Sequence, residues 1–231
     1  MASFDALFHN LEVHGWAMAD NVMPDGLVTR LLQAGDQAWQ ANLFQDAHVG
    51  TTSQPVRNTA IRGDTIWWLE PDMASDACQQ FLAWADVLQQ ALNRHFFLGL
   101  RRAEFHFARY GQGLGYKRHM DQHRGQPYRR ISLVLYLNPQ WDASSGGELC
   151  LYAPGTSGDE TQRILPMPGR LVLFRSDLIP HAVLPCTRPR WSLTGWFRND
   201  DVIALPLPGL PSVATTPAHP YSAPVATGAA A

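Results

Sequence analysis

Two histidines and one aspartate are spaced so that they could hold a metal ion together. His119 and Asp121 are separated by a single residue, and His181 follows further along the chain. Two imidazoles and one carboxylate can occupy one face of an octahedral iron(II) ion, which leaves adjacent coordination positions open for a co-substrate and dioxygen. The sequence therefore predicts an iron site with His119, Asp121 and His181 as its ligands.

An arginine that follows the second histidine could bind an anion close to this metal. Arg190 opens the segment RWSLTGWFR, and strand alternation places it on one face with Ser192, Thr194 and Trp196. A buried guanidinium is costly unless it meets a carboxylate, with which it forms a two-pronged pair. Tyr136, in ISLVLYLN, could add a hydroxyl donor to the same anion. Metal trio and anion clamp together predict a 2-oxoglutarate-dependent hydroxylation.

The bulk composition excludes several classes of protein. A chain of 231 residues suits one sizeable domain, and a net charge of −2 argues against nucleic-acid binding. No uncharged apolar run is long enough to cross a membrane, and the first residues lack the basic region of a signal peptide. Three widely spaced cysteines imply no disulfide framework, so a reducing, cytoplasmic location is expected.

Helical patterns come early in the chain and strand patterns come late. Pro24-Asp25 opens one apolar stripe, and residues 75–96 carry a stronger one that Gly99 should stop. From residue 101 the apolar period changes to two. The predicted strands are 103–110, 131–138, 148–152, 170–175, 182–186 and 191–198. This order predicts an α+β, mainly β, protein in which N-terminal helices buttress a β-sandwich or barrel.

The order of the motifs resembles a known enzyme family. HMD at 119–121, LYLN with Tyr136, the Gly-Gly of SGGELCLY, PHAV and RWSLTGW follow one another as in the iron(II)/2-oxoglutarate oxygenases of the prolyl 4-hydroxylase type. IRGDTIWWLE at 61–70 and NPQWDASSGGELCLY at 138–152 closely resemble the hypoxia-inducible-factor prolyl hydroxylases and their bacterial relatives. The resemblance covers roughly residues 58–200 and is collinear.

The resemblance implies a fold and a domain organisation. We expect a single catalytic domain over 1–204, with helical support in 1–100 and a double-stranded β-helix, or jelly roll, in 101–200. Beyond Asp201 the chain has no charged residue, and prolines recur among small residues. Residues 205–231 are therefore predicted to be a disordered Pro/Ala-rich tail.

The resemblance also implies roles for pocket residues. Arg190 and Tyr136 would bind the C5 carboxylate of 2-oxoglutarate, where the collagen-type enzymes use a lysine. Tyr110, Thr194 and Trp196 would line the pocket around co-substrate and metal. The cofactors implied are iron(II), 2-oxoglutarate, dioxygen and ascorbate.

On the substrate side, the resemblance implies a protein prolyl residue hydroxylated at C4, with elongation factor Tu as a candidate partner. Residues 61–70, around Arg62 and Asp64, would be a mobile finger that closes over the substrate. Tyr116 and Arg129 would lie near the entrance. His106 departs from the pattern, because the human enzymes carry an apolar residue there. His106 could simply be a polar residue of the pocket wall, or it could influence the iron or the co-substrate through a contact with one of their binding partners.

Three other functions remain possible from the sequence. Some members of the superfamily hydroxylate a free amino acid or another small molecule. A zinc hydrolase could use the same three ligands with a metal-bound water, although it would not need Arg190 and Tyr136. A non-catalytic binding module with a relic site is the third alternative.

Overall fold

The computed structural model describes residues 4–47, 58–73, 75–122, 127–155 and 158–200. The predicted tail at 205–231 lies outside these residues. The helices are α1 (Asp5–His14), α2 (Leu27–Gln40) and α3 (Asp76–Phe96), with a short 3-10 helix at Ala143–Ser145. The strands are β1 (Trp16–Ala19), β2 (Gln45–Asp46), β3 (Asp64–Trp68), β4 (Arg102–Tyr110), β5 (Tyr116–His119), β6 (Arg129–Tyr136), β7 (Leu149–Tyr152), β8 (Glu160–Ile164), β9 (Leu171–Arg175), β10 (His181–Val183) and β11 (Arg190–Arg198).

The strands form two antiparallel sheets. The larger sheet has the order β1-β9-β6-β11-β4-β3-β2, and the smaller one has the order β5-β10-β7-β8. Neighbours in the larger sheet are mostly distant in sequence, so many connections cross from one sheet to the other. The predicted fold class, mainly β with a jelly-roll core and supporting helices, is confirmed.

Two apolar clusters hold the layers together. One lies between the helices and the outer face of the larger sheet, and it contains Phe81, Leu88 and Phe107. The other lies between the two sheets and contains Val134, Leu151 and Phe174. The larger sheet is therefore covered on both faces, which agrees with the continuous apolar runs of its central strands.

Helix α3 forms where its apolar stripe predicts it. The Ser75 side chain caps its first turn by accepting a hydrogen bond from the Cys78 N–H, and the buried face repeats at helical spacing. The helix ends at Phe96, where the apolar stripe predicts it: Phe97 takes the left-handed conformation at φ 55° and donates its N–H to Asn93 O, two residues before Gly99.

Strand β11 is the central element that connects the core to the site. It pairs with β4 along its whole length and with β6 from Ser192 onward. Trp191, Leu193 and Phe197 pack into the helix-side cluster, whereas Arg190 and Thr194 face the space between the sheets. The alternation predicted from the sequence is therefore confirmed.

The structure corrects the prediction of a finger loop at 61–70. Residues 64–68 form β3, which is hydrogen-bonded to β4 with Asp64 opposite Tyr110 and Trp68 opposite His106. Aromatic and β-branched residues favour this pairing, and Trp67 stacks on Phe107. The HMD motif, predicted to lie in a loop, begins at the last residue of β5, His119, and its other two residues follow the strand.

Other features agree with the bulk composition. Cys78, Cys150 and Cys186 are all buried and free. No helix in the described residues combines the length and apolar character needed to cross a membrane.

Gly195 gives a test of how tightly β11 is packed. A Cβ at this position would overlap the Glu104 carbonyl oxygen and lie 2.8 Å from Phe105 Cα, both on the backbone of β4. Because backbone atoms cannot swing aside, we expect Gly195→Ala to lower the free energy of unfolding by about 3 kcal/mol. Chemical denaturation measures the change. Gly111→Ala is the control: its Cβ would meet only Leu114 Cδ1 at 3.5 Å, so a shift below about 1 kcal/mol is expected. Equal losses in both variants would contradict this account.

Candidate metal centre and co-substrate pocket

The smaller sheet brings the two predicted histidine ligands together. β5 and β10 are antiparallel neighbours, and His119 lies directly opposite His181 in their register. Asp121 follows two residues after the end of β5. Neighbouring positions on paired strands point their side chains to the same face of a sheet. The spacing His-x-Asp and the pairing of β5 with β10 thus aim three side chains at one point.

The three side chains have the geometry of a metal site. One donor atom from each of His119, Asp121 and His181 lies within 4.8 Å of the other two. The Nε2 atoms of both histidines are 3.6 Å from Asp121 Oδ1. These contacts are longer than hydrogen bonds, and an ion placed between the three atoms would be reached by all of them. No other group of this kind occurs among the described residues.

Backbone carbonyls orient both imidazoles towards that point. His119 Nδ1 donates to Lys117 O at 2.8 Å, and His181 Nδ1 donates to Ile179 O at 3.1 Å. Since each Nδ1 carries the proton, each Nε2 has a free lone pair for a metal. Burial lowers the pKa of His181 to about 4, so this ring is neutral at physiological pH.

Asp121 is held as an anion. Burial alone would raise its pKa, but His181, His119 and a hydrogen bond from Ser132 together hold the pKa well below its ordinary value. Ser132 Oγ donates to Asp121 Oδ2 at 2.7 Å and lies 2.8 Å from Ser176 Oγ. The aspartate therefore keeps one oxygen hydrogen-bonded and turns the other towards the histidines.

Arg190 lies at the other end of the same cavity. It is 1% exposed, and its Nε donates to Gly147 O at 2.8 Å. Its Cζ lies 5.2 Å from the ring centroid of Tyr110 and 5.0 Å from that of Tyr136. In the part of the chain that the structure describes, no carboxylate lies within ion-pair distance of this guanidinium. A buried cation in this state fits an anionic ligand.

Tyr136 supports the same interpretation. It is fully buried, and its hydroxyl finds no hydrogen-bond partner among the described residues. Burial raises its pKa, and the nearby positive charge of Arg190 only partly opposes this effect, so the hydroxyl stays protonated as a donor. A hydroxyl donor and a guanidinium side by side form a suitable cradle for a carboxylate.

Charged and aromatic side chains surround the side of the cavity near the metal. Arg62 and Asp64 form a two-pronged pair with distances of 2.8 and 3.0 Å, and the guanidinium lies over the Tyr116 ring. The Tyr116 ring stacks on His119 with centroids 3.5 Å apart. Arg129 Cζ lies 3.4 Å from the Trp196 ring centroid. These residues link the cavity rim to the metal ligands.

The cavity collects almost every residue predicted from the sequence. Its wall contains Arg62, Asp64, Tyr110, Tyr116, His119, Asp121, Arg129, His181, Arg190, Thr194 and Trp196. Tyr136 is not part of the wall, although it contacts Arg190. Sequence reasoning missed the apolar wall residues Leu149, Phe174 and Val183. It also missed Ser132, whose position on the alternating face of β6 was the available signal.

A second cavity, of about 750 Å³, lies between α1 and α3 and is lined mainly by apolar groups such as Phe8 and Trp84. It lies apart from the metal ligands, and its wall offers no set of metal-binding groups. Its size does not make it the reactive site, because the chemistry depends on the ligand trio.

Comparison with known proteins places this geometry in a family. Residues 105–198 match the 2OG-Fe(II) oxygenase superfamily. A prolyl-4-hydroxylase from Pseudomonas putida, solved as a crystal structure, is 39% identical, with 86% of this chain and 100% of that chain covered at a TM-score of 0.74. The chain belongs to the 2OG-Fe(II) oxygenase superfamily. It is an enzyme of the prolyl hydroxylase-like branch, and therefore an iron-dependent dioxygenase.

Two eukaryotic relatives of this oxygenase extend the likeness. A prolyl hydroxylase from Trichoplax adhaerens, solved with a peptide fragment of the hypoxia inducible factor oxygen degradation domain, is 28% identical over 84% of this chain and 88% of that chain, at a TM-score of 0.74. Prolyl hydroxylase EGLN3 from Mus musculus is 29% identical over 189 residues, or 79% of this chain and 78% of the relative.

The donor set of this oxygenase fits iron(II). Two imidazole nitrogens and one carboxylate oxygen suit iron(II) and leave several coordination positions open. Zinc can use the same ligands, but it gives no account of Arg190 and the unpartnered Tyr136 hydroxyl at the far end. The family membership and the second anion site both favour the oxygenase chemistry over a zinc hydrolase.

His106 makes the stability of this oxygenase depend on pH. Burial lowers its pKa to about 3, with Arg62 and Arg129 acting in the same direction and Asp64 and Asp121 against it. Between pH 6.5, the ordinary value for histidine, and pH 3, the unfolded chain binds a proton that the folded chain does not. Folding stability contributed by this residue is therefore lost as the pH falls below about 6.5.

We expect wild-type metal-free protein to lose about 2 kcal/mol more stability than His106→Met between pH 6.5 and 5. Urea denaturation at several pH values measures the difference. His181, whose pKa is lowered to about 4, acts in the same direction but is present in both proteins. Parallel pH curves for the two proteins would show that His106 is not buried as a neutral ring.

Proposed function

We propose that this protein hydroxylates a prolyl residue of a protein substrate at C4, with iron(II), 2-oxoglutarate and dioxygen. The observation that supports this most is one buried cavity with the ligand trio at one end and a buried arginine without a carboxylate partner at the other. Bound iron(II) would supply the redox chemistry that converts 2-oxoglutarate and dioxygen to succinate and carbon dioxide while one oxygen atom enters the substrate C–H bond.

The residues of the chain then hold and shield the reactants. His119, Asp121 and His181 would hold the metal, while Arg190 and Tyr136 bind the C5 carboxylate of 2-oxoglutarate. Tyr110 packs on the guanidinium of Arg190, and Thr194 and Trp196 line the wall between the two ends. Buried aromatic and aliphatic walls exclude water, which strengthens the electrostatic contacts within.

A protein substrate is favoured by the residues at the cavity rim. The Arg62–Asp64 pair, Tyr116 and Arg129 present rigid polar and aromatic groups next to the ligand trio. A relative of similar fold binds a peptide that belongs to a protein. Because residues 64–68 form a strand, support for peptide binding comes from these rim residues and not from a finger loop. Elongation factor Tu as the substrate, ascorbate as an accessory reductant and a cytoplasmic location remain predictions.

The anion clamp can be separated from the metal site by mutation. We expect Arg190→Ala to raise the 2-oxoglutarate concentration needed for binding roughly 100-fold, because a two-pronged ionic contact is lost. Affinity for iron(II), or for manganese(II) as a substitute, should stay within about threefold, since Arg190 is not among the ligands. His181→Ala should show the reverse pattern and lose metal affinity first. Calorimetry measures both affinities.

Arg188→Ala is the matched control for the clamp. Arg188 lies on the same segment, but it stacks on Trp141 at 4.6 Å and is not part of the cavity wall. Its removal should leave the affinities for metal and 2-oxoglutarate unchanged. If Arg190→Ala binds 2-oxoglutarate as well as the control does, the clamp assignment is wrong.

The substrate can be identified by its gain of one oxygen atom. Purified enzyme with iron(II), 2-oxoglutarate and ascorbate should release succinate faster when elongation factor Tu or a protein extract is added. Mass spectrometry should then locate one added oxygen on a proline, and amino-acid analysis should give the 4-hydroxy isomer. His181→Ala is the inactive control.

Succinate release that rises with free proline or another amino acid, but not with protein, would instead establish the small-molecule alternative. Hydrolysis that depends on zinc without turnover of 2-oxoglutarate would support the hydrolase.

A further inference from the structure

One polar residue of the cavity wall has no part in the assignments above. His106 is 1% exposed, and neither of its ring nitrogens has a hydrogen-bond partner among the described residues. The residue lines the cavity, together with the ligand trio and Arg190. An unpartnered buried polar group destabilises a folded protein. A ligand bound in the cavity could supply the hydrogen-bond partner that His106 lacks among the described residues.

Strand register places His106 at the metal end of the cavity. On β4 it lies opposite Thr194 of β11 and opposite Trp68 of β3. The rings of Trp68 and Trp196 are 4.7 and 5.5 Å from its ring. Trp196 in turn lies opposite Ser132, the residue that holds Asp121. Arg190 is four positions earlier on β11 than Thr194, so His106 and Arg190 mark different ends of the cavity.

The charge state of His106 limits what it can bind. Its low pKa keeps the ring neutral at physiological pH, so it presents one N–H donor and one acceptor nitrogen. Charged groups that act on it are Arg62, Asp64, Arg129 and Asp121. A neutral donor can hold an oxygen atom of a ligand without placing a second positive charge next to the metal.

Of the molecules that enter this cavity, the oxoacid offers the matching group. A prolyl ring that reaches the metal end is a hydrocarbon ring there and provides no acceptor. 2-Oxoglutarate carries acceptor oxygens at both of its ends, and Arg190 and Tyr136 can account for only one end. At its other end, one carboxylate oxygen and the keto oxygen would be available to the metal, and the second carboxylate oxygen can accept a hydrogen bond from the protein.

We propose that His106 is a binding residue for 2-oxoglutarate, and that its ring N–H donates a hydrogen bond to the carboxylate at the metal end of the cavity. The assignment rests on this cavity being the 2-oxoglutarate pocket of the proposed function. His106 would thereby add to the affinity for the co-substrate, independently of the Arg190 clamp.

Direct observation of the ring nitrogens tests the proposal without any turnover. Protein labelled with ¹⁵N-histidine and loaded with diamagnetic zinc(II) is compared with and without 2-oxoglutarate by NMR. The His106 signals, assigned by their loss in His106→Gln, should shift on addition of 2-oxoglutarate. His9, an exposed residue of α1, should not shift.

Two variants measure the strength of the contact. His106→Met removes donor and acceptor, whereas His106→Gln keeps both. Fluorescence of the adjacent Trp68 and Trp196 reports 2-oxoglutarate binding to the zinc(II) protein. We expect the Met variant to bind 2-oxoglutarate roughly 10- to 100-fold more weakly and the Gln variant to stay within about threefold. Zinc(II) affinity should be equal in all three proteins. Without ligand, the Met variant should unfold at the same temperature as wild type or higher, because the unpartnered nitrogens are gone.

Unshifted His106 signals, with full 2-oxoglutarate affinity in His106→Met, would overturn the proposal and leave an ordered water as the partner of the ring. Arg190→Ala separates this outcome from failure of the proposed function. If Arg190→Ala also binds 2-oxoglutarate normally, the cavity is not the co-substrate pocket, and both assignments fall. If only Arg190→Ala weakens binding, the pocket stands and the role of His106 alone is refuted.

Discussion

The arrangement depends on a carboxylate, Asp121, that is held as an anion between two imidazoles. The Asp121 side chain is only 12% exposed, yet His181 and His119 stabilise its ionised form, and Ser132 donates to one of its oxygens. Among the described residues, no lysine or arginine forms an ion pair with this carboxylate, and a largely buried carboxylate in that state is unfavourable unless a cation completes the site. Burial lowers the pKa of His181 to about 4, so this ring does not supply the positive charge at physiological pH, and a bound metal ion would supply it. The buried anion thus favours binding of a metal ion, and the pairing of β5 with β10 determines where that ion would lie.

A buried charge without an oppositely charged partner also lies at the opposite end of the cavity. Arg190 is buried without a carboxylate partner among the described residues, and the Tyr136 hydroxyl beside it is unpartnered as well. The protein therefore carries a fixed positive site and a site that attracts a positive ion, separated along β11 and β6. In the proposed function, a small dicarboxylate would bind at both ends at once. Selectivity for 2-oxoglutarate would then follow from the separation of the two sites and from the apolar residues of the cavity wall.

The three metal-ligand candidates and Arg190 could be predicted from the sequence, because their residue types and spacing follow the pattern of a metal site beside an anion site. Alternation along β11 assigned Arg190 to the cavity, and the jelly-roll arrangement brought His181 to His119. Contacts between strands that are distant in sequence could not be predicted from the sequence alone. Ser132 looks like a filler of an apolar strand until β6 is placed beside Asp121. β8 is a polar edge strand held only through β7, and 64–68 is a strand because β4 offers it a partner. Helix α1 (Asp5–His14) was not predicted, because its buried apolar stripe consists of only Leu7, Phe8 and Leu11.

The direct pairing of His119 with His181 has a consequence for assembly of the fold. Successive side chains of a strand alternate between faces, so a slip of β5 by one residue against β10 would point one imidazole away from its mate. Only the native alignment brings both nitrogens to Asp121. An ion that binds all three groups would therefore stabilise the native register of the smaller sheet over misaligned registers. It would also link β5 and β10, which are short strands with few hydrogen bonds between them. A metal ion bound by His119, Asp121 and His181 would therefore stabilise the smaller sheet as well as take part in the reaction.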